Sequence, residues 1–258
     1  MVKTVLVNDV DYRYTVSGKG PLMVFIHGFL ETSQIWEDIS LSFEDDYKVL
    51  KIDLPGHGVN SHLLDFFSIQ QMASLVLEIL KVEKNSPPIV IGHSMGGYVG
   101  LEIAQLIPIH LILLHSNFWE DSPQKKLDRQ RLVEVVENNK KSFIQRAIPN
   151  LFAKSNVQNH WVAIENIKAM ALRIDKAVIQ NCTRAMLERN DFSAQAKHAN
   201  WQVIQGDLDP IVTTSRMAEY LRGTELNCYT ISNCGHMGFI EQPKELTEVL
   251  MHTIKDRS

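Results

Sequence analysis

Cysteine is scarce in this 258-residue chain, which has three: Cys182, Cys228 and Cys234. They show no metal-like spacing, and any disulfide scheme leaves one unpaired. A disulfide-stapled scaffold is therefore excluded, and a reducing, cytoplasmic setting is expected. No apolar stretch is long enough to span a bilayer. The N-terminal stretch from Met1 to Asp9 is interrupted early by polar and acidic residues, so it lacks a signal-peptide layout. Dense basic blocks are missing too, and the net charge is −4, which removes the electrostatic footprint of a nucleic-acid binder. There is no internal repeat and no low-complexity tract. What is present, 45% hydrophobic and 22% charged residues, is the balance of a globular chain long enough to bury a large core.

Strand and helix patterns alternate. Val2 to Val7 and Asp11 to Val16 read as strands around the turn Asn8-Asp9. Leu22 to Ile26 is continuously apolar, as in a strand buried on both faces. Ser33 to Phe43 reads as a helix capped by Ser33, and Tyr47 to Ile52 as a strand followed by the turn Pro55-Gly56-His57-Gly58. Ser68 to Lys84 places Ile69, Met72, Leu75, Val76, Ile79 and Leu80 on one helical face. Two more strands, Pro88 to Ile91 and Ile109 to Leu114, flank a helical pattern from Tyr98 to Leu106. Then strands stop. Ser122 to Arg189 holds only helical patterns before the strand Trp201 to Gln205, the helix Ser215 to Leu221, the strand Glu225 to Ile231 and the helix Lys244 to Lys255. Alternating strands and helices imply a parallel sheet, and an insertion that leaves a strand end can sit over the edge where open α/β sheets hold ligands.

Gly92-His93-Ser94-Met95-Gly96-Gly97 joins the strand at Ile91 to the helix at Tyr98. Strand, sharp turn, helix, with serine at the turn, is the setting of a G-x-S-x-G nucleophile elbow. Residues without Cβ bulk let such a turn close, and the helix start leaves unpaired N–H groups beside the hydroxyl. A serine hydroxyl needs a base, and the base needs a carboxylate to hold it. Gly206-Asp207-Leu208-Asp209-Pro210 follows one strand and Asn233-Cys234-Gly235-His236-Met237-Gly238 the next, both at the sheet edge expected for Ser94.

With these pieces, and with His27-Gly28-Phe29, Asp53-Leu54-Pro55-Gly56-His57-Gly58 and Glu241-Gln242-Pro243, the chain resembles the α/β-hydrolase family over essentially its full length. Within that family it is similar to small esterase-like serine hydrolases with a helical cap. The resemblance implies an α/β fold: a mostly parallel eight-stranded sheet, helices on both faces, and an all-helical cap insertion. It divides the chain into a core of residues 1–116 plus 192–258 and a cap of residues 117–191. It implies Ser94 as nucleophile, Asp209 as acid and His236 as base, with the backbone N–H groups of Phe29 and Met95 as the oxyanion hole. The family's acid stands three residues after the strand-ending glycine, which selects Asp209 and leaves Asp207 as a turn former. Some relatives carry the acid after the strand ending at Leu114, where Glu120 and Asp121 are near. His27, His57 and His93 are expected to be structural, and the other histidines show no metal-ligand spacing. His115-Ser116 could reach the site from its strand end without an assigned role. No metal or cofactor is called for.

Phe29, Leu30, Met95 and Met237 flank the motifs and suggest an apolar mouth for an acyl or small aromatic group, with Phe118 and Trp119 of the cap as further lining. Lys125-Lys126 and Arg129-Gln130-Arg131 read as a solvated helix face, or as a surface for an anionic tail or an acyl carrier. The implied function is cleavage of a carboxylic ester or thioester through an acyl-enzyme, on a small-molecule substrate, without nucleic acid or membrane. The same triad could serve a C–C hydrolase or a menaquinone-pathway lyase, with Arg129 or Arg146 as the cap's polar group, or belong to a non-catalytic ligand sensor. Ser94 argues against the dehalogenases and epoxide hydrolases of this fold, which place aspartate at the elbow. Oligomeric state leaves no mark in the sequence.

Overall fold

The computed structural model of the protein describes residues 1–7, 9–63, 68–83 and 87–255. The expected turn residue Asn8 and helix end Lys84 lie outside the described residues. The strands are β1 (Val2–Val7), β2 (Val10–Ser17), β3 (Leu22–Ile26), β4 (Lys48–Ile52), β5 (Ile89–His93), β6 (His110–Leu114), β7 (Gln202–Gly206) and β8 (Asn227–Ile231). They form one eight-stranded sheet in the order β1-β2-β4-β3-β5-β6-β7-β8. The β1–β2 and β2–β4 pairs are antiparallel, and every later pair is parallel. The helices are α1 (Glu37–Leu41), α2 (Ile69–Glu83), α3 (Met95–Ala104), α4 (Pro123–Ala147), α5 (Trp161–Arg173), α6 (Lys176–Leu187), α7 (Ser193–Ala196), α8 (Thr214–Leu221), α9 (Gly238–Glu241) and α10 (Pro243–Lys255).

Strand order explains burial. β3 and β7 are buried at every residue and β5 and β6 at all but the first, whereas edge strand β1 alternates between exposed and half-buried. The chain moves one way along the sheet from β3 to β4, then reverses to reach β5 on the other side of β3. Right-handed crossovers therefore put α1 on one face and α2 and α3 on the other. The reversal opens a crevice at the C-terminal ends of β3 and β5, the place where sheets of this kind hold ligands.

Local chemistry sets the helix starts. Ser68 Oγ accepts from Gln71 N and Gln71 Oε1 accepts from Ser68 N, both at 3.1 Å, a reciprocal cap that opens α2. The expected helix from Ser33 is instead a 3-10 turn over Ser33–Trp36 followed by α1. Thr32 is its cap, its Oγ1 accepting from Gln34 N at 3.4 Å, while the Ser33 N–H goes to Asp53 Oδ1 at 2.6 Å. Phe25 and Trp36, with ring centroids 5.1 Å apart, are fully buried on the α1 side of the sheet. Truncating either to alanine would cost about 3–5 kcal/mol.

Between β6 and β7 the described chain is helical, from α4 through α7. This insertion touches loops at the C-terminal ends of several strands. Met170 Sδ accepts from Thr32 Oγ1 at 3.3 Å, and a Cβ on Gly56 would stand 2.5 Å from Val178. Asn139 leaves helical geometry (φ −141°, ψ 38°) and kinks α4. No helix of the described residues is long and apolar enough to cross a membrane. Cys182, Cys228 and Cys234 are all free thiols.

Candidate active site

β5 ends at His93 and α3 begins at Met95, so Ser94 alone makes the reversal. Its backbone lies at φ 49°, ψ −113°, a conformation that costs a Cβ-bearing residue on the order of 1–3 kcal/mol. Neighbours hold it there. Ser94 N donates to Leu114 O at 3.0 Å, and Ser94 O accepts from Gly97 N at 3.0 Å and Ser116 Oγ at 2.7 Å. A Cβ on Gly96 would sit 2.3 Å from Ile26 O, so glycine is what lets the first turn of α3 rest on the end of β3. The loop after β3 lies equally close, since a Cβ on Gly28 would come within 3.1 Å of Ser94 Cβ. Phe29 follows it, half-buried, and Leu30 takes a positive φ of 65°. The two segments expected to supply oxyanion donors are thus in contact, and Met95 N belongs to the unpaired first turn of α3.

Asp209 and His236 meet in the loops after β7 and β8. Asp209 Oδ2 accepts from His236 Nδ1 at 2.9 Å, and both side chains are buried. Asp209 Oδ1 accepts from the backbone N–H groups of Ile211 (2.8 Å) and Val212 (2.9 Å). His115, at the end of β6 with φ 46°, adds a second imidazole donor: its Nδ1 reaches the same Oδ2 at 3.3 Å. Burial alone would raise the Asp209 carboxyl; the His236 charge and the hydrogen bonds from His115 and His236 outweigh it and hold the acid well below the usual carboxylate range. Burial keeps His115 below the ordinary histidine value. Ser94 Oγ and His236 Nε2 have no hydrogen-bond partner among the described residues.

The competing carboxylates are occupied elsewhere. Asp207 Oδ1 accepts from Cys234 N at 3.0 Å and so pins the histidine loop. Asp121 is clamped between Arg129 and Arg189, two arginines of the insertion. His27 donates through Nδ1 to Gly28 O (2.8 Å) and accepts at Nε2 from Leu54 N (3.0 Å), which makes it a neutral brace between loops. Burial pushes His57, whose ring lies 4.9 Å from that of His27, down to about 3.

The loop bearing His236 is also tied to the insertion. His236 N donates to Leu151 O at 2.8 Å. The buried Glu241 accepts from Gly235 N (3.1 Å) and Met237 N (3.2 Å) on one oxygen, and from Ala153 N and Asn156 Nδ2 (both 2.9 Å) on the other. Leu30, Met95 and Met237 are buried beside these loops. Phe118 and Trp119 are buried as well, and Trp119 stacks on Tyr220 of α8 with centroids 4.2 Å apart.

His115, Asp209 and His236 present one ligand atom each within 4.8 Å of one another, a metal-capable grouping. Those atoms are already joined by hydrogen bonds, which an ion would have to displace. The grouping is invisible in sequence spacing because its members come from three separate loops. Sequence reasoning gave no function to Glu31, which contacts His93 and Gly28; a glutamate near a turn carries no signal of its own.

The description "alpha/beta hydrolase family" fits residues 23–249. The chain belongs to the alpha/beta hydrolase family. Over 92 residues, 36% of the chain and 34% of the relative, it is 38% identical to a pimeloyl-[acyl-carrier protein] methyl ester esterase of Methylococcus capsulatus. Over 169 residues, 65% of the chain and 62% of the relative, it is 27% identical to the enzyme so named in Pseudoalteromonas atlantica. The matches thus span about a third and somewhat under two thirds of these relatives. A thermophilic esterase from Thermogutta terrifontis has the same fold, with a TM-score of 0.89 at 24% identity over 99% of this chain and 98% of that one.

Proposed function

We propose that this hydrolase cleaves a carboxylic ester or thioester of a small acyl or aromatic group, with Ser94 as nucleophile, His236 as base and Asp209 as acid. The observation that carries the reading is the buried Asp209–His236 pair at 2.9 Å, on the sheet edge that also bears the strained Ser94 turn. In this reading Ser94 Oγ attacks the carbonyl carbon while its proton passes to His236 Nε2. Asp209 holds the Nδ1–H and stabilises the imidazolium. The oxyanion forms between the N–H groups of Phe29 and Met95, each worth about 2.7–4 kcal/mol in the transition state. His236 returns the proton to the leaving alcohol or thiol. Water, deprotonated by His236, then releases the acid from Ser94.

Residues 117–191 act as a cap over a core of 1–116 plus 192–258, and the half-buried Phe29 edges the apolar mouth, with the buried Leu30, Met95 and Met237 beneath it and Phe118 and Trp119 behind. Relatives named as methyl ester esterases support an ester substrate. The lyase reading is weaker, because Arg129 is spent on Asp121. Arg146 faces a groove of about 460 Å³ on α4 with Val135, Asn139 and Phe143. Labelling by a fluorophosphonate and turnover of short aryl esters, both abolished by Ser94→Ala, are expected. Labelling or turnover that persists in Ser94→Ala removes the proposal.

A further inference from the structure

A second histidine–carboxylate pair lies behind Ser94. His93 is fully buried, and both of its ring nitrogens face acceptors: Nδ1 stands 2.9 Å from Glu31 Oε2, and Nε2 2.9 Å from the His236 carbonyl oxygen. Glu31 Oε2 is itself an acceptor, for the Gly28 N–H at 2.6 Å. A neutral imidazole has one N–H and one bare lone pair. Either neutral tautomer would turn that lone pair onto an oxygen, in a place where water cannot intervene. With Glu31 ionised, only the imidazolium satisfies both contacts, and an ionised Oε2 takes the Gly28 and His93 N–H groups together, where a protonated one would have to donate to Nδ1 from the same oxygen that accepts from Gly28.

We propose that Glu31 and His93 form a standing carboxylate–imidazolium pair that locks the oxyanion loop, the nucleophile elbow and the loop of the base into one rigid unit. His93 is a positioning residue. Its two donors are committed, so it exchanges no proton during turnover. Its catalytic consequence rests on the proposed serine mechanism; its charge state does not.

The electrostatics agree with the geometry. Burial opposes charge on His93, but Glu31, the His236 carbonyl and Asp209 outweigh it and keep the ring protonated to higher pH than an ordinary histidine. Burial would likewise raise the Glu31 carboxyl, and His93 with the Gly28 N–H brings it below the usual range. The titratable groups facing the pair are Asp209, His27, His115 and His236. The rings of Trp36 and Phe239, with centroids 6.3 and 5.2 Å from that of His93, complete the enclosure. Each is uncharged.

A glutamine at position 31 cannot replace the pair. With its amide oxygen in the Oε2 place, His93 is neutral and its bare Nε2 faces the His236 carbonyl. With its amide nitrogen there, the Gly28 N–H meets a donor. One of the three loops is released either way.

The test uses the full-length, ¹⁵N-labelled protein, with the His93 ring signal assigned as the one missing from His93→Gln. In the wild type both ring nitrogens of His93 are expected to carry protons at pH 7, and in Glu31→Gln one of them should not. On a short aryl ester Glu31→Gln should lose about tenfold to a hundredfold in kcat, with KM changed by less than about threefold, the signature of misplacement rather than lost binding. Glu31→Asp, which keeps the charge, should recover part of the loss. A neutral His93 in the wild type at pH 7 overturns the proposal, and so does a folded Glu31→Gln with kcat within about twofold of wild type. If Glu31→Gln does not fold, the wild-type ring signal and Glu31→Asp decide. A wild type that hydrolyses no ester defeats the serine mechanism and still leaves the ring signal to judge the pair.

Discussion

Two buried histidines, His93 and His236, lie with ring centroids 5.0 Å apart at the same sheet edge, each on its own carboxylate. They differ in what is left over. His236 spends Nδ1 on Asp209 and keeps Nε2 without a partner among the described residues, whereas His93 spends both nitrogens. An imidazole with one uncommitted nitrogen can take and return a proton, and one with none is a fixed charge. Neighbouring histidines of similar burial can therefore hold opposite jobs, decided by the second ring contact.

The comparison breaks most sharply on the side of the Asp209–His236 pair. Ser94→Ala and Asp209→Asn are each expected to lower kcat for an aryl ester by about 10⁴ or more, while Asp207→Asn stays within a few-fold of wild type. The reverse order between the two aspartates would move the acid to Asp207. Glu31→Gln comes next, at the tenfold to hundredfold given above. His115 is a smaller lever: His115→Phe, which removes the second imidazole donor on Asp209, should cost about tenfold in kcat. His115→Asn should stay near wild type, because an amide N–H can replace Nδ1–H and asparagine tolerates the positive φ of 46° found there. Equal losses in both variants would assign His115 to packing alone.

pH sharpens the contrast because His93 and Asp209 respond in opposite directions. His93 has a raised value in the folded state, so its contribution to stability is complete below the ordinary histidine pKa and is lost as pH rises through the raised one. Asp209 has a depressed value, so its contribution is present above the ordinary carboxylate pKa and is lost as pH falls through the depressed one. Urea denaturation across pH should show the alkaline loss in wild type and not in Glu31→Gln. A carboxylate far from the chemistry gives the smallest effect on rate. Glu83, held by Lys3, Lys48 and Tyr14, is lowered to about 2 by these partners against the opposing burial. Glu83→Gln should cost about 3 kcal/mol of stability, lost in the wild type only as pH falls through that value, and leave kcat unchanged.

Much of this was legible in the sequence because the signals are local. The continuous apolar run Leu22 to Ile26 announces a doubly covered strand, and Gly92 to Gly97 announces the elbow by its place between strand and helix. Boundaries moved by a residue or two where capping competes, as when Asp53 takes the Ser33 N–H and Thr32 becomes the cap. What stayed hidden is long-range. His93 and Glu31 are 62 positions apart and His115 and Asp209 are 94 apart, so no spacing rule joins them. The kink at Asn139 is equally silent, since asparagine marks no break by itself.

The fastening of Leu151, Ala153 and Asn156 to His236 and Glu241 has a consequence for anyone grafting a lid from one hydrolase onto another. The segment from 151 to 156 belongs mechanically to the proposed reaction centre, whichever element it is drawn with. A chimera cut before Leu151 and rejoined after Asn156 removes a backstop of the histidine and should change turnover as well as selectivity. Splice points placed outside that stretch, with Glu241 kept, should let specificity be exchanged while the chemistry runs on undisturbed.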